Sequence, residues 1–338
     1  MRTIVLDQPG HFRMTDTPTP DAPGPGQALV RVRHVGICGS DLHAYLGEQP
    51  FYTFPRIIGH EVGMEVEQID ANDRGIAPGD RCTLNPYLSC GHCVACRHGK
   101  TNCCESLKLI GLQEDGALRE RFLVPVDHLH KSETLSCAEL ALVEMLGIGA
   151  HAVQRGRVGS GDTVLVIGVG PIGMTVVQFA LLAGARVIVM DRSEPRLDFV
   201  EKNFDIAARI NPDQDPIPQL RQLTNNDMPD IVFDATGNIP SMQNAFDYIR
   251  HGGTLVLVGI IQGQVTFDDA TFHRRETTLL SSRNGTAADL DRVISHLERG
   301  DIRSANWITH PVAMDDMIGS FESFLDPTSG VIKAIVEI

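Results

Sequence analysis

Basic charge is in short supply in this chain. Lysine and arginine number 29 against 43 acidic residues, a formal charge of -14, and no segment carries a basic stripe. That argues against nucleic acid or an anionic membrane as partner. Long apolar runs are missing as well: none spans a bilayer without charge, and the opening MRTIVLDQPG lacks the apolar core of a secretory leader. A cytoplasmic protein is therefore expected. Internal repeats and low-complexity linkers are also missing, and PTPDAPGPG (18–26) reads as a turn-rich surface loop. What remains is an ordinary globular composition, 42% hydrophobic and 21% charged, over 338 residues. That length can bury a large core and splits most naturally into two domains.

Five of the eight cysteines fall within SCGHCVACRHGKTNCC, residues 89–104. Cytoplasmic thiols stay reduced, so the cluster reads as a metal site before it reads as disulfides. Cys90, Cys93 and Cys96 are spaced three apart, and Cys103 and Cys104 follow. Two-residue gaps let a tight loop wrap thiolates around one cation, and a fourth closes a tetrahedron. Four thiolates suit zinc. An iron–sulfur centre is the nearest rival, but the bacterial ferredoxin run ends in a three-residue gap and Cys-Pro, which this loop lacks. A thioredoxin-type pair would be an isolated C-x-x-C. A site with four protein ligands has no open position and is structural.

In the second half, TVLVIG (163–168) is an apolar strand of the buried parallel type. Gly168, Gly170 and Gly173 follow in a G-x-G-x-x-G turn with Pro171 and Ile172 inside it; then come an apolar helical run and a second strand, RVIVMD, ending at Asp191. Glycines of this spacing let backbone approach a pyrophosphate at a helix N-terminus, and the terminal carboxylate accepts the ribose hydroxyls while repelling a 2′-phosphate. NAD is favoured over NADP, although Arg192 directly follows the acid; Arg196 lies one helical turn on. DIVFDATG (230–237), GGTLVLVG (252–259) and TTLLSSR (277–283) continue the sheet, and NPDQDPIP (211–218) reads as turns or surface connections. The expected class is α/β: a doubly wound domain with a parallel sheet, joined to a β-rich domain.

GICGSDLH (36–43) and IIGHE (57–61) supply Cys38, Ser40, Asp41, His43, His60 and Glu61, and Glu144 sits in an apolar stretch where a carboxylate needs a partner or a metal. His60-Glu61 is no zincin helix, because position 64 is Met. One Cys, one His and carboxylates would form an open zinc site with a position left for a substrate oxygen.

GICGSD, GHE, the cysteine loop and GVGPIG, in this order and over the whole chain, resemble the zinc-dependent medium-chain alcohol dehydrogenases. LVEML, with Glu144, and SSRNGT, with Arg283, are similar to the sorbitol dehydrogenase-like branch that handles polyols and sugar acids, bacterial hexonate dehydrogenases above all. Asn284 stands where sorbitol dehydrogenases carry tyrosine, which disfavours sorbitol itself. The resemblance implies a GroES-like catalytic domain at 1–151 and 286–338, a Rossmann domain at 152–285 and a cleft between them. It implies catalytic zinc on Cys38, His60 and Glu61, with Glu144 as alternate or water-linked ligand, and structural zinc on Cys90, Cys93, Cys96 and Cys104. Ser40 and His43 would relay the proton, Asp41 would orient the ligands, and Arg283 would contact the substrate. NAD would engage the Gly168–Gly173 turn, Asp191, Arg192 and Arg196. A small-molecule substrate and a homo-oligomer, dimer or tetramer, are also implied. Threonine or simple alcohol dehydrogenases are the nearest alternatives; a non-catalytic NAD(H)-binding, redox-responsive regulator is the alternative outside enzymes.

Overall fold

A computed structural model describes residues 1–49, 52–326 and 328–338. The chain divides into two compact units, Met1–Met145 with Gly285–Ile338, and Leu146–Asn284; the boundary falls inside the helix Val143–Gly156.

The first unit is built on a seven-stranded sheet. Its central strand, Gln27–Ile37, alternates buried Ala28, Val30 and Val32 with the half-exposed Arg31 and Arg33, the period-2 signature of a strand with one face on a core. It pairs antiparallel with Glu61–Ile69 on one side. On the other side its start meets Arg121–Pro125 and its end meets the C-terminal strand Lys333–Glu337. Register then determines the neighbourhood at the far end of the strand. Gly36 lies opposite Glu61, and Ile37 lies opposite Ala334. Cys38, His60 and Lys333, each one residue beyond the last of these cross-strand pairs, are thereby gathered at one place. The apolar core beneath includes Ile4, Leu6, Ile58, Met64, Leu118 and Phe122, all at most 1% exposed.

The second unit carries a six-stranded, all-parallel sheet. In space the strands run Ala208–Ile210, Arg186–Met190, Thr163–Ile167, Ile231–Asp234, Thr254–Leu257, Thr278–Ser281. Val164, Leu165, Ile188, Val232 and Leu255 are fully buried, which is why these strands read as continuous apolar runs without alternation. Two features differ from the sequence reading. Ala208–Ile210 is a strand too short to show a pattern. Within 211–218 the prolines do not mark loops: Pro212 opens the short 3-10 helix Pro212–Gln214 and Pro216 opens the helix Pro216–Leu223. A first helical turn has no use for the missing N–H.

Candidate metal centre and nucleotide cavity

Cys38 stands just past the central strand as the N-cap of the helix Gly39–Tyr45. Asp41, fully buried, accepts the backbone N–H of Cys38 at 2.9 Å on one oxygen and the Tyr52 hydroxyl at 3.0 Å on the other. That second oxygen lies 3.9 Å from His60 Nδ1. Burial raises the Asp41 pKa, while His60 and the Cys38 amide oppose the shift. For His60, burial disfavours the charged ring, yet Cys38, Asp41 and Glu144 outweigh it and hold the imidazole pKa well above its usual value. These neighbours favour the imidazolium form of His60.

One donor atom from each of Cys38, His60 and Glu61 lies within 4.8 Å of the others. Thiolate, imidazole and carboxylate form a donor set that fits zinc. Buried His60 Nδ1 and Ser40 Oγ have no hydrogen-bond partner among the described residues, as a site that takes up a metal and a polar ligand requires. Glu144 is outside this group of three but close in charge: burial raises its pKa, His60 lowers it and Glu61 raises it. Tyr87 donates its hydroxyl to Glu144 Oε1, and both residues are buried. His43 is exposed, and its Nδ1 lies 3.0 Å from Glu48 Oε2.

The sequence reading missed the partner of Glu61. The Lys333 ammonium donates to both Glu61 oxygens, at 2.7 and 2.6 Å, and to the Ile37 carbonyl at 3.1 Å. Both side chains are at most 3% exposed. Burial works against the charged lysine, but Glu61 and Cys38 prevail and its pKa is raised. Gly36 makes the room: a Cβ there would lie 2.1 Å from Glu61 Oε2. One sequence signal was available, a lone lysine in the apolar run VIKAIVEI.

In the cysteine loop the thiols of Cys90, Cys93, Cys96 and Cys104 form a second such cluster, and Cys103 is exposed. Backbone amides aim at the sulfurs: Cys90 N–H at Cys104 Sγ (3.3 Å), Cys93 N–H at Cys90 Sγ (3.4 Å) and Ser106 N–H at Cys104 Sγ (3.4 Å). Backbone N–H groups of Cys96 and Glu105 bring the Cys93 thiol down to about 6. Such N–H···S bonds stabilise thiolates, the form a zinc ligand must take.

In the second unit a cavity of about 490 Å³ is lined by Gly168, Gly170, Asp191, Arg192 and Arg196, and also by Asp213, Thr236 and Asn238, which the motif did not announce. The helix Pro171–Leu182 begins inside the Gly168–Gly173 motif, with Gly170 as its N-cap and proline in its first turn. A Cβ at position 173 would lie 1.8 Å from the Gly168 carbonyl oxygen, so only glycine lets this helix pack onto the turn. Asp191 is fixed by two backbone amides, Val169 N–H to Oδ2 and Ser193 N–H to Oδ1, each at 2.8 Å. Arg283 is exposed, on the segment after the last strand of this sheet.

These features match known proteins over the whole chain. Residues 24–134 match the alcohol dehydrogenase GroES-like domain, and residues 171–299 match the zinc-binding dehydrogenase domain. The chain is 35% identical over 336 residues to L-galactonate-5-dehydrogenase of Escherichia coli K12, covering 99% of this chain and 98% of that protein. The chain belongs to the zinc-dependent medium-chain alcohol dehydrogenase family. It is an oxidoreductase, with a GroES-like unit and a Rossmann unit. An alcohol dehydrogenase of E. coli CFT073 solved with NADH superposes with a TM-score of 0.92 at 28% identity, over 100% of this chain and 99% of that one. A zinc-binding dehydrogenase of Sinorhizobium meliloti bound to NADP superposes with 0.91 at 28%, with the same coverage. Both forms of the dinucleotide thus occur on this dehydrogenase fold. No helix among the described residues is long and apolar enough to cross a membrane.

Proposed function

We propose that this dehydrogenase oxidises a secondary alcohol of a sugar acid (a hexonate) or polyol with NAD. The observation that carries the reaction class is the Cys38–His60–Glu61 group, with His60 and Glu61 buried and Cys38 half-buried, two residues from an unpartnered Ser40 hydroxyl. Zinc on Cys38, His60 and Glu61, with Glu144 as alternate or water-linked ligand, supplies Lewis-acid polarisation of the substrate hydroxyl, and NAD supplies the hydride acceptor. Ser40 takes the proton from the substrate hydroxyl and passes it toward His43, whose exposed ring and Glu48 partner offer an exit to solvent. Asp41, fixed by the Cys38 amide and Tyr52, orients His60. The Gly168–Gly173 turn receives the pyrophosphate and Asp191 the ribose hydroxyls. Arg283, in SSRNGT, binds substrate hydroxyls or the hexonate carboxylate. A zinc held by Cys90, Cys93, Cys96 and Cys104 is structural. The catalytic residues belong to the first unit, the cofactor residues to the second, and the enzyme works as a cytoplasmic homo-oligomer; four reduced thiolates around zinc and the acidic surface suit that compartment.

Likeness to a galactonate dehydrogenase over nearly the full length supports the substrate class. A panel of hexonates, polyols, threonine and simple alcohols, followed by NADH absorbance, tests it. A hexonate or polyol is expected to give the highest kcat/KM. A clear preference for threonine or a simple alcohol would replace the substrate reading. Failure of the whole panel, with zinc present only in the four-cysteine site, would refute the assignment of Cys38, His60 and Glu61 as a catalytic zinc site.

A further inference from the structure

We propose that Asp213 is a determinant of the choice of NAD over NADP, acting by keeping Arg192 out of reach of a 2′-phosphate. The inference deepens the cofactor reading above and rests on it. Asp191 alone would repel a phosphate on the ribose, but the next residue is an arginine that could reverse the preference. Both carboxylate oxygens of Asp191 hold backbone amides at 2.8 Å, so that charge is fixed and cannot swing away. Cofactor choice therefore turns on which cation is available beside it.

Two arginines line the cavity. Arg196, on the helix Glu194–Asn203, faces the glycine turn: its guanidinium lies 3.7 Å from where a Cβ of residue 170 would stand, on the side where the turn would receive the diphosphate. Arg192 is the one next to Asp191, and it is engaged: its Nε lies 3.3 Å from Asp213 Oδ1 and its Nη2 donates to Oδ2 at 3.5 Å. Asp213 is held in place for this. It lies in the short 3-10 helix Pro212–Gln214, its amide donates to Asn211 Oδ1 at 3.1 Å, and Asn211 donates in turn to Glu194 at 2.7 Å. Asp213 thus neutralises the available cation and adds a second negative charge to the same rim. A 2′-phosphate would meet two carboxylates and a compensated arginine.

The test is direct binding of NADH and NADPH, read by the rise in nicotinamide fluorescence, to the wild type, Asp213→Asn, Arg192→Ala and the double variant. The pair is solvent-exposed, so the effect is modest: Asp213→Asn should tighten NADPH binding about 5-fold and leave NADH within about 2-fold. The gain should vanish when Arg192→Ala is added and should shrink with added salt. An unchanged NADPH-to-NADH ratio in Asp213→Asn, or a gain that survives loss of Arg192, would overturn the proposal. So would a wild type that prefers NADPH. A wild type that binds neither dinucleotide would instead overturn the reading of the cavity itself.

Discussion

Replacing Lys333 with methionine keeps most of the side-chain volume but removes the ammonium held by both Glu61 oxygens. Glu61 is fully buried and Lys333 only 3% exposed at its side chain, so water cannot stand in for the lost partner. Stranding one member of a buried pair costs about 3–5 kcal/mol, or a melting-point loss of roughly 10 °C for a domain of this size. The assay is urea unfolding of metal-depleted wild type, Lys333→Met and the double variant Glu61→Gln/Lys333→Met. In the single variant the Glu61 carboxylate is left buried without its cation. The double variant removes the stranded charge and should recover most of the loss. Zinc should also rescue the single variant in part, because a metal beside Cys38 and His60 would give the Glu61 carboxylate a cation in place of the lost ammonium. A Lys333→Met protein within about 1 kcal/mol of wild type at pH 7 would refute this reasoning.

Three further expectations follow from the site geometry. Cys104→Ser should lose one zinc per chain and lower the thermal midpoint, while Cys103→Ser, at an exposed thiol outside the cluster, should change neither; metal analysis with a melting curve decides it. Gly173→Ala forces a Cβ to within 1.8 Å of the Gly168 carbonyl and should weaken NADH binding by about tenfold or more in a fluorescence titration; unchanged affinity would mean the helix does not pack on the turn. Because the surroundings of His60 raise its imidazole pKa, protons compete with zinc for that ring. Chelator competition should show affinity at the Cys38 site falling by up to about tenfold per pH unit below the raised imidazole pKa. A pH-independent affinity would remove the proton from that ring.

Local spacing made much of this protein legible before its structure. The cysteine loop and the glycine turn are short-range objects, in which a few adjacent backbone angles place sulfurs around an ion or amides around a phosphate, so residue order alone carries the geometry. The parallel strands were legible because burial on both faces leaves unbroken apolar runs, as in TVLVI and RVIVM. Ala208–Ile210 escaped because three residues hold no period, and Pro216 misled because the same fixed φ serves a turn or a first helical turn. Cys38, His60 and Glu61 came forward through resemblance and not through spacing, since nothing local brings 38 to 60. That step belongs to strand register, which sets Gly36 opposite Glu61 and Ile37 opposite Ala334. Register also delivers Lys333 to Glu61 across 272 residues, and packing brings Tyr87 to Glu144 across 57. The sequence by itself determined which donor groups and which glycine turn exist. The tertiary structure decided how their charges are compensated, because a buried charge is matched by whatever the fold brings beside it, at any distance along the chain.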